Sequence, residues 1–131
     1  MFGKLRNEQH GQALIELALV LPILLLLLSG IVEMGRVGYA YISVNNAARV
    51  GARVASIGGT DQEIMAAVAQ SASILDPANL TVLISPIPTL RQSGDDISVE
   101  VSYPVDLVVP LIAGIIPDPF LVEADITMRL E

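Results

Sequence analysis

The chain has no cysteine, no tryptophan and a single histidine, and only 4% of its residues are aromatic. Without thiols there is neither a disulfide framework nor a thiolate metal site. With His10 alone, a Ser-His-Asp triad has no base in the downstream part of the chain, so serines such as Ser43 and Ser56 have nothing to activate them. Asp95-Asp96 and the other carboxylates fit the spacing of no calcium loop, and acidic residues at turns and strand starts serve mainly to solvate them. Gly58-Gly59 stands alone, so no glycine-rich phosphate cradle is formed. These absences together describe a protein that is not an enzyme and needs no cofactor.

Basic charge is also scarce. Seven Lys and Arg residues face fourteen Asp and Glu, a net charge of −7. The deficit is uneven: up to Arg36 three basic residues balance three acidic ones, whereas beyond it four arginines face eleven carboxylates. Phosphate backbones need a basic footprint, so no nucleic acid partner is expected.

Apolar residues, by contrast, abound, at 53% of the chain with a mean hydropathy of +0.64. From Leu17 to Val32 nothing is charged, and with Gln12–Glu16 the run reaches the roughly 20 residues that cross a bilayer as a helix. A single membrane-spanning helix is expected, extending to about residue 34. Pro22 is tolerable inside it, with a mild kink, because neighbours in a membrane can satisfy the carbonyl it frees. A cleaved secretory signal is the competing reading, with small residues around Ser29 and Gly30, but helical patterning continues past the apolar run to Ala55. Lys4 and Arg6 precede the span, which orients the N-terminus to the cytoplasm and sends the acidic part outside.

Glu16 lies about a turn inside this apolar run. An ionisable group within a span costs on the order of 3 kcal/mol, so it either snorkels to the interface or has a partner. The arrangement Gly11-Gln12-Ala13-Leu14-Ile15-Glu16 resembles the type IV prepilin signal, a short polar leader and a glycine followed by an apolar helix with glutamate at its fifth position. The resemblance implies cleavage after Gly11 by a prepilin peptidase. It also implies that the new α-amine of Gln12 pairs with Glu16 of a neighbouring subunit.

Two further stretches, Glu33-Met34-Gly35-Arg36 and Asn46-Ala47-Ala48-Arg49-Val50-Gly51-Ala52-Arg53, follow in order. Together with the first, and with ISVEVSYPVDL at 97–107, they resemble the TadE-like family of the tight-adherence (Tad, or Flp) pilus system. That resemblance implies a minor pilin (pseudopilin) or assembly component in the inner membrane. Its implied partners are other pilins or platform proteins, and the resemblance leaves open whether the subunit enters a surface pilus, caps it or stays in the membrane. Leu17 stands where the major Flp pilins place a tyrosine, and the exported domain is large, which separates this chain from the bulk fibre subunit. A single-span anchor that presents an exported binding or accessory domain without polymerising is the alternative.

Beyond the span one helix is expected over 12–57. Glu33 and Arg36, three apart, are close enough to pair where the helix leaves lipid, with Gly35 between them. Tyr39 and Tyr41 suit an interfacial belt. The small residues Ala47, Gly51 and Ala55 recur every fourth position and allow close approach of another backbone, either the protein's own sheet or another subunit. Asn45, Arg49 and Arg53 form a polar stripe, which is either a solvated face or a contact for an acidic neighbour.

Residues 58–131 read as an exported α+β domain. Thr60-x-x-Glu63 is a capping-box pattern opening a second helix, with Ile64, Val68, Ala72 and Leu75 on its apolar side and Asp76-Pro77 at its end. Leu80–Ile84 is a short strand candidate. Ile97 to Tyr103 and Val122 to Leu130 alternate cleanly with polar residues, the pattern of half-buried antiparallel strands. Residues 85–95 read as a loop. The segment VDLVVPLIAGIIPDPF, 105–120, is too short for a second span, and is either a loop or short helix completing the core or an exposed apolar patch. The expected fold is therefore a pilin-like α+β domain, two helices on a three-stranded antiparallel sheet, carried on a membrane helix.

Overall fold

The computed structural model describes residues 2–131, with side chains from Gln9 onward. Helix α1 runs unbroken from Phe2 to Ser56. It starts some ten residues before the expected position near Gln12. Between Phe2 and Gly11 the chain has no proline, no β-branched residue and no turn cluster, so nothing local stops the helix. It also continues unbroken through Pro22.

At its other end α1 stops through glycine chemistry. Gly58 takes φ +83, which L side chains avoid. Its N–H donates to Ala55 O at 3.1 Å while Gly59 N–H donates to Val54 O at 3.0 Å. This 5→2 and 6→1 pair is the Schellman arrangement, which satisfies carbonyls the helix end would otherwise leave open.

Helix α2, Asp61–Ser71, begins with the expected capping box: Glu63 N–H donates to Thr60 Oγ1 at 3.3 Å and Thr60 N–H to a Glu63 carboxylate oxygen at 2.9 Å. It ends five residues before Asp76-Pro77. Ala72 caps it, and Leu75 N–H then donates to Ala72 O in a turn that keeps Leu75 on the core side. The serines at 71 and 73 favour such a turn, since their hydroxyls compete for backbone groups.

Strands β1 (Thr81–Ser85), β2 (Asp96–Val105) and β3 (Phe120–Arg129) form an antiparallel meander in the order β1-β2-β3. Each strand lies within a few residues of its expected place. Register stacks apolar side chains across the sheet: Val82 beside Val101 beside Ala124, and Ile84 beside Val99 beside Ile126. One 3-10 turn, Pro88–Leu90, lies in the 85–95 loop, and a four-residue helix α3, Pro110–Ala113, interrupts 105–120.

The inner face of the sheet is covered by α2 and by the second half of α1. Val44, Ala47, Ala48 and Ala52 of α1, Ile64 and Val68 of α2, and Val99 and Val101 of β2 are fully enclosed. Each enclosed valine or isoleucine contributes about 1.5–3 kcal/mol by leaving water. The small stripe of α1 is therefore covered from within: a Cβ on Gly51 would meet Val68 Cγ2 at 2.6 Å and Val99 Cγ1 at 3.2 Å. Of the two readings of that stripe, packing beneath the protein's own sheet is the one the fold adopts. The first half of α1 has no such cover. Its most apolar window has a mean hydropathy of 2.7 and is wholly outside the protein's own core, so it is long and apolar enough to cross a membrane.

Candidate functional site: the helix and its exit collar

The candidate residues fall into three groups along α1. Gly11, Gln12 and Glu16 lie on the uncovered half. A Cβ on Gly11 would meet nothing within 4 Å. Glu16 is exposed, and its carboxylate accepts from the Gln12 side-chain amide at 3.4 Å, a contact within one turn of the same helix. Lys4 and Arg6 lie outside the described side chains.

Glu33, Gly35 and Arg36 form the second group. The Arg36 guanidinium donates to Glu33 Oε1 at 3.1 Å, the i,i+3 pair that the spacing implies. Glu33 is nonetheless only 4% exposed, the one charged residue among the buried side chains described. Its second oxygen, Oε2, accepts the backbone N–H of Val108 at 3.2 Å. The carboxylate thus joins α1 to the 105–120 segment of the α+β domain, and both of its oxygens are satisfied, as burial of a charge requires. Gly35, between the pair, faces open space.

Around this junction the 105–120 segment forms a collar on α1. Ile112 approaches Gly30 so closely that a Cβ there would lie 3.9 Å from its Cδ1. At the collar's neck Asp118 accepts the Leu107 N–H at 3.2 Å. An apolar groove of about 730 Å³ runs between α1 and the collar, lined by Leu26, Ile31 and Met34 on one side and Ile115, Ile116 and Phe120 on the other. Val108, Leu111 and Ile115 are 69%, 58% and 81% exposed. Of the two readings of 105–120, the exposed patch is what the fold shows. The segment lies beside the uncovered apolar half of α1, and no other described element covers these three side chains.

The third group is polar. Asn45 is half-buried, while Arg49 and Arg53 are exposed and line a shallow groove with Asn46, Ile126 and Met128. Neither arginine has a carboxylate within ion-pair distance among the described residues; the pairs found there are Glu33–Arg36 and Asp61–Arg91. Gly51, grouped with them by spacing, points the other way into the core. The Asp61–Arg91 pair, at 2.6 Å, has no sequence signal, since it joins the start of α2 to the 86–91 loop, where Arg91 also donates to Pro86 O at 2.9 Å.

An α+β domain borne on one long apolar helix, with Glu16 on the uncovered half of that helix and Glu33 buried where the domain begins, is a build compatible with a single-pass membrane protein. Residues 11–53 match the family model of TadE-like proteins. The match spans all three groups of residues, from Gly11 to Arg53. Neither a curated protein nor a solved structure matches the chain.

Proposed function

We propose that this protein is a non-enzymatic minor pilin or assembly component of a Tad-type pilus, held in the inner membrane by the first half of α1. The observation that carries this reading is the coincidence of the TadE-like segment, 11–53, with an uncovered apolar helix bearing Glu16. An uncovered helix of this kind is completed by lipid before assembly and by other helices in a bundle. Glu16 has no charged partner in its own chain among the described residues. A prepilin peptidase cutting after the open Gly11 creates one, because an α-amine with an ordinary pKa of about 7.7–8.0 is cationic near neutral pH. Two groups that are each costly alone in lipid are then paired between subunits, which sets the axial register of one helix against the next.

In this scheme the cytoplasmic side holds the leader and the acidic domain lies outside. Arg49 and Arg53 offer cationic contacts to the anionic surface of a neighbouring subunit.

The test is the intact mass of the protein purified from membranes of cells with and without the prepilin peptidase. Loss of residues 1–11 only where the peptidase is present is the expected result. Retention of the leader in both would remove the amine from the account and leave a fixed single-span anchor.

A further inference from the structure

We infer that the 107–116 collar is inserted in the outer leaflet, so that lipid acyl chains, and not a second protein, cover its exposed apolar face. The inference rests on the reading of α1 as a membrane span.

Position is the first argument. Ile112 packs at Gly30, three residues toward the membrane from Glu33, and the groove extends to Leu26. At 1.5 Å per residue these lie about 4.5 and 10 Å below Glu33 along the helix axis. The collar therefore stands beside the span, and its outer face continues the uncovered surface of Leu26, Leu27 and Ile31.

Length supplies the second. The uncharged run Leu17–Val32 covers only about 24 Å as a helix, short of the roughly 30 Å hydrocarbon core. The core must then reach past Glu33 on the outer side or past Glu16 on the inner. The collar makes the outer side acceptable: it buries Glu33, satisfies the carboxylate with Val108 N–H and Arg36, and shows lipid an apolar surface in its place.

Backbone chemistry supplies the third. Irregular chain is tolerated at membrane depth only where its polar groups are met by protein. Leu107 and Val108 donate to the carboxylates of Asp118 and Glu33, and every N–H from Ile112 to Ile116 donates to a carbonyl within the turn, which leaves Val109 and Leu111 as the two N–H groups of 107–116 without a protein acceptor among the described residues. Pro110 and Pro117 carry no N–H at all. The segment 107–117 has no charged residue, and Asp106 and Asp118, which bracket it, mark where it re-enters the polar zone.

The chain has no tryptophan, so a single one reports depth without background. Full-length Ile115→Trp, with Leu24→Trp in the span and Ile74→Trp on the far turn of the domain, would be reconstituted in phosphatidylcholine vesicles with and without acyl-chain bromination. Each of the three positions is at least 49% exposed, so the replacements disturb little packing. Loss of most of the emission at positions 115 and 24, with little change at 74, is the expected result. Quenching at 24 but not at 115 overturns the inference and leaves the span intact. A bright signal at both overturns the span as well. Emission at 115 that resists brominated lipid but shifts with protein-to-lipid ratio assigns the face to a second copy and also overturns the inference. Leu111→Trp, on the same face, repeats the measurement if the first variant fails to fold.

Discussion

At the scale of the residue, Gly51 shows how much depends on one missing methyl group. It lets α1 pass directly beneath β2 and α2, with Val68 and Val99 in the space a Cβ would take. Gly51→Ala gains about 1 kcal/mol in helix propensity. It also forces a carbon to 2.6 Å from a β-branched, fully enclosed valine, and overpacking of this kind costs about 1–3 kcal/mol. The expected net result is a lower unfolding midpoint. In a Gly51→Ala/Val68→Ala double variant the added methyl occupies the space Val68 vacates, so the two losses add to less than their sum by about 0.5–3 kcal/mol. Strict additivity in detergent-solubilised protein would refute the contact. The spacing of Ala47, Gly51 and Ala55 announces a close approach, but an i,i+4 row of small residues looks alike whether a sheet or a second subunit lies against it. Glu33 has the same limit. Its pairing with Arg36 is local and legible, whereas the Val108 N–H comes from a residue 75 positions away and leaves no periodic trace.

At the scale of the element, signals carried by neighbouring residues are legible and those set by tertiary contact are not. Thr60 and Glu63 state the start of α2, and Gly58 states the end of α1, because capping is decided within a few residues. Alternation in β2 and β3 fixes which side chains enter the core, and Ile97, Val99, Val101, Val122 and Ala124 do so. The end of α2 is misjudged because Leu75 reaches the core through a turn as well as it would through another helical turn. The 105–120 collar is read only as two alternatives, since its composition suits a core and a lipid face equally. Thr60→Ala tests the legible kind of signal. It removes an acceptor for the Glu63 N–H and should lower stability by about 1 kcal/mol, within the 0.5–2 kcal/mol usual for such caps. Thr60→Ser, which retains the hydroxyl, should restore most of it. Thermal unfolding followed by circular dichroism reads both, and equal loss in the two variants would mean that the methyl, not the cap, is what matters.

At the scale of the whole molecule, α1 belongs to two environments with little in common. From Ala40 to Ala55 it is a core helix of the α+β domain, and before Ser29 its described side chains are exposed, with only Leu25–Leu28 lining the grooves beside the 107–116 collar. Glu16 lies 28 residues from Val44, the largest enclosed side chain of that helix, which is about 40 Å along the axis. Nothing connects the two beyond the helix backbone, so a change at Glu16 should leave the domain's folding untouched while altering what α1 does in the membrane. Glu16→Ala is accordingly expected to unfold at the wild-type midpoint within about 0.5 kcal/mol, as substitutions at uncovered positions usually do. Removing an unpaired carboxylate also relieves an insertion cost on the order of 3 kcal/mol, so the variant should reach the membrane at least as well as the parent. What it should lose is assembly: with no anion to meet the neighbouring amine, incorporation into sheared pili falls below detection by immunoblot while the membrane pool persists. Glu16→Gln separates charge from hydrogen bonding, and failing like alanine would assign the role to the ion pair. Normal pili and normal incorporation in Glu16→Ala would show that this carboxylate has no part in lateral packing, and would leave the protein as an anchor whose working surface lies entirely outside the membrane.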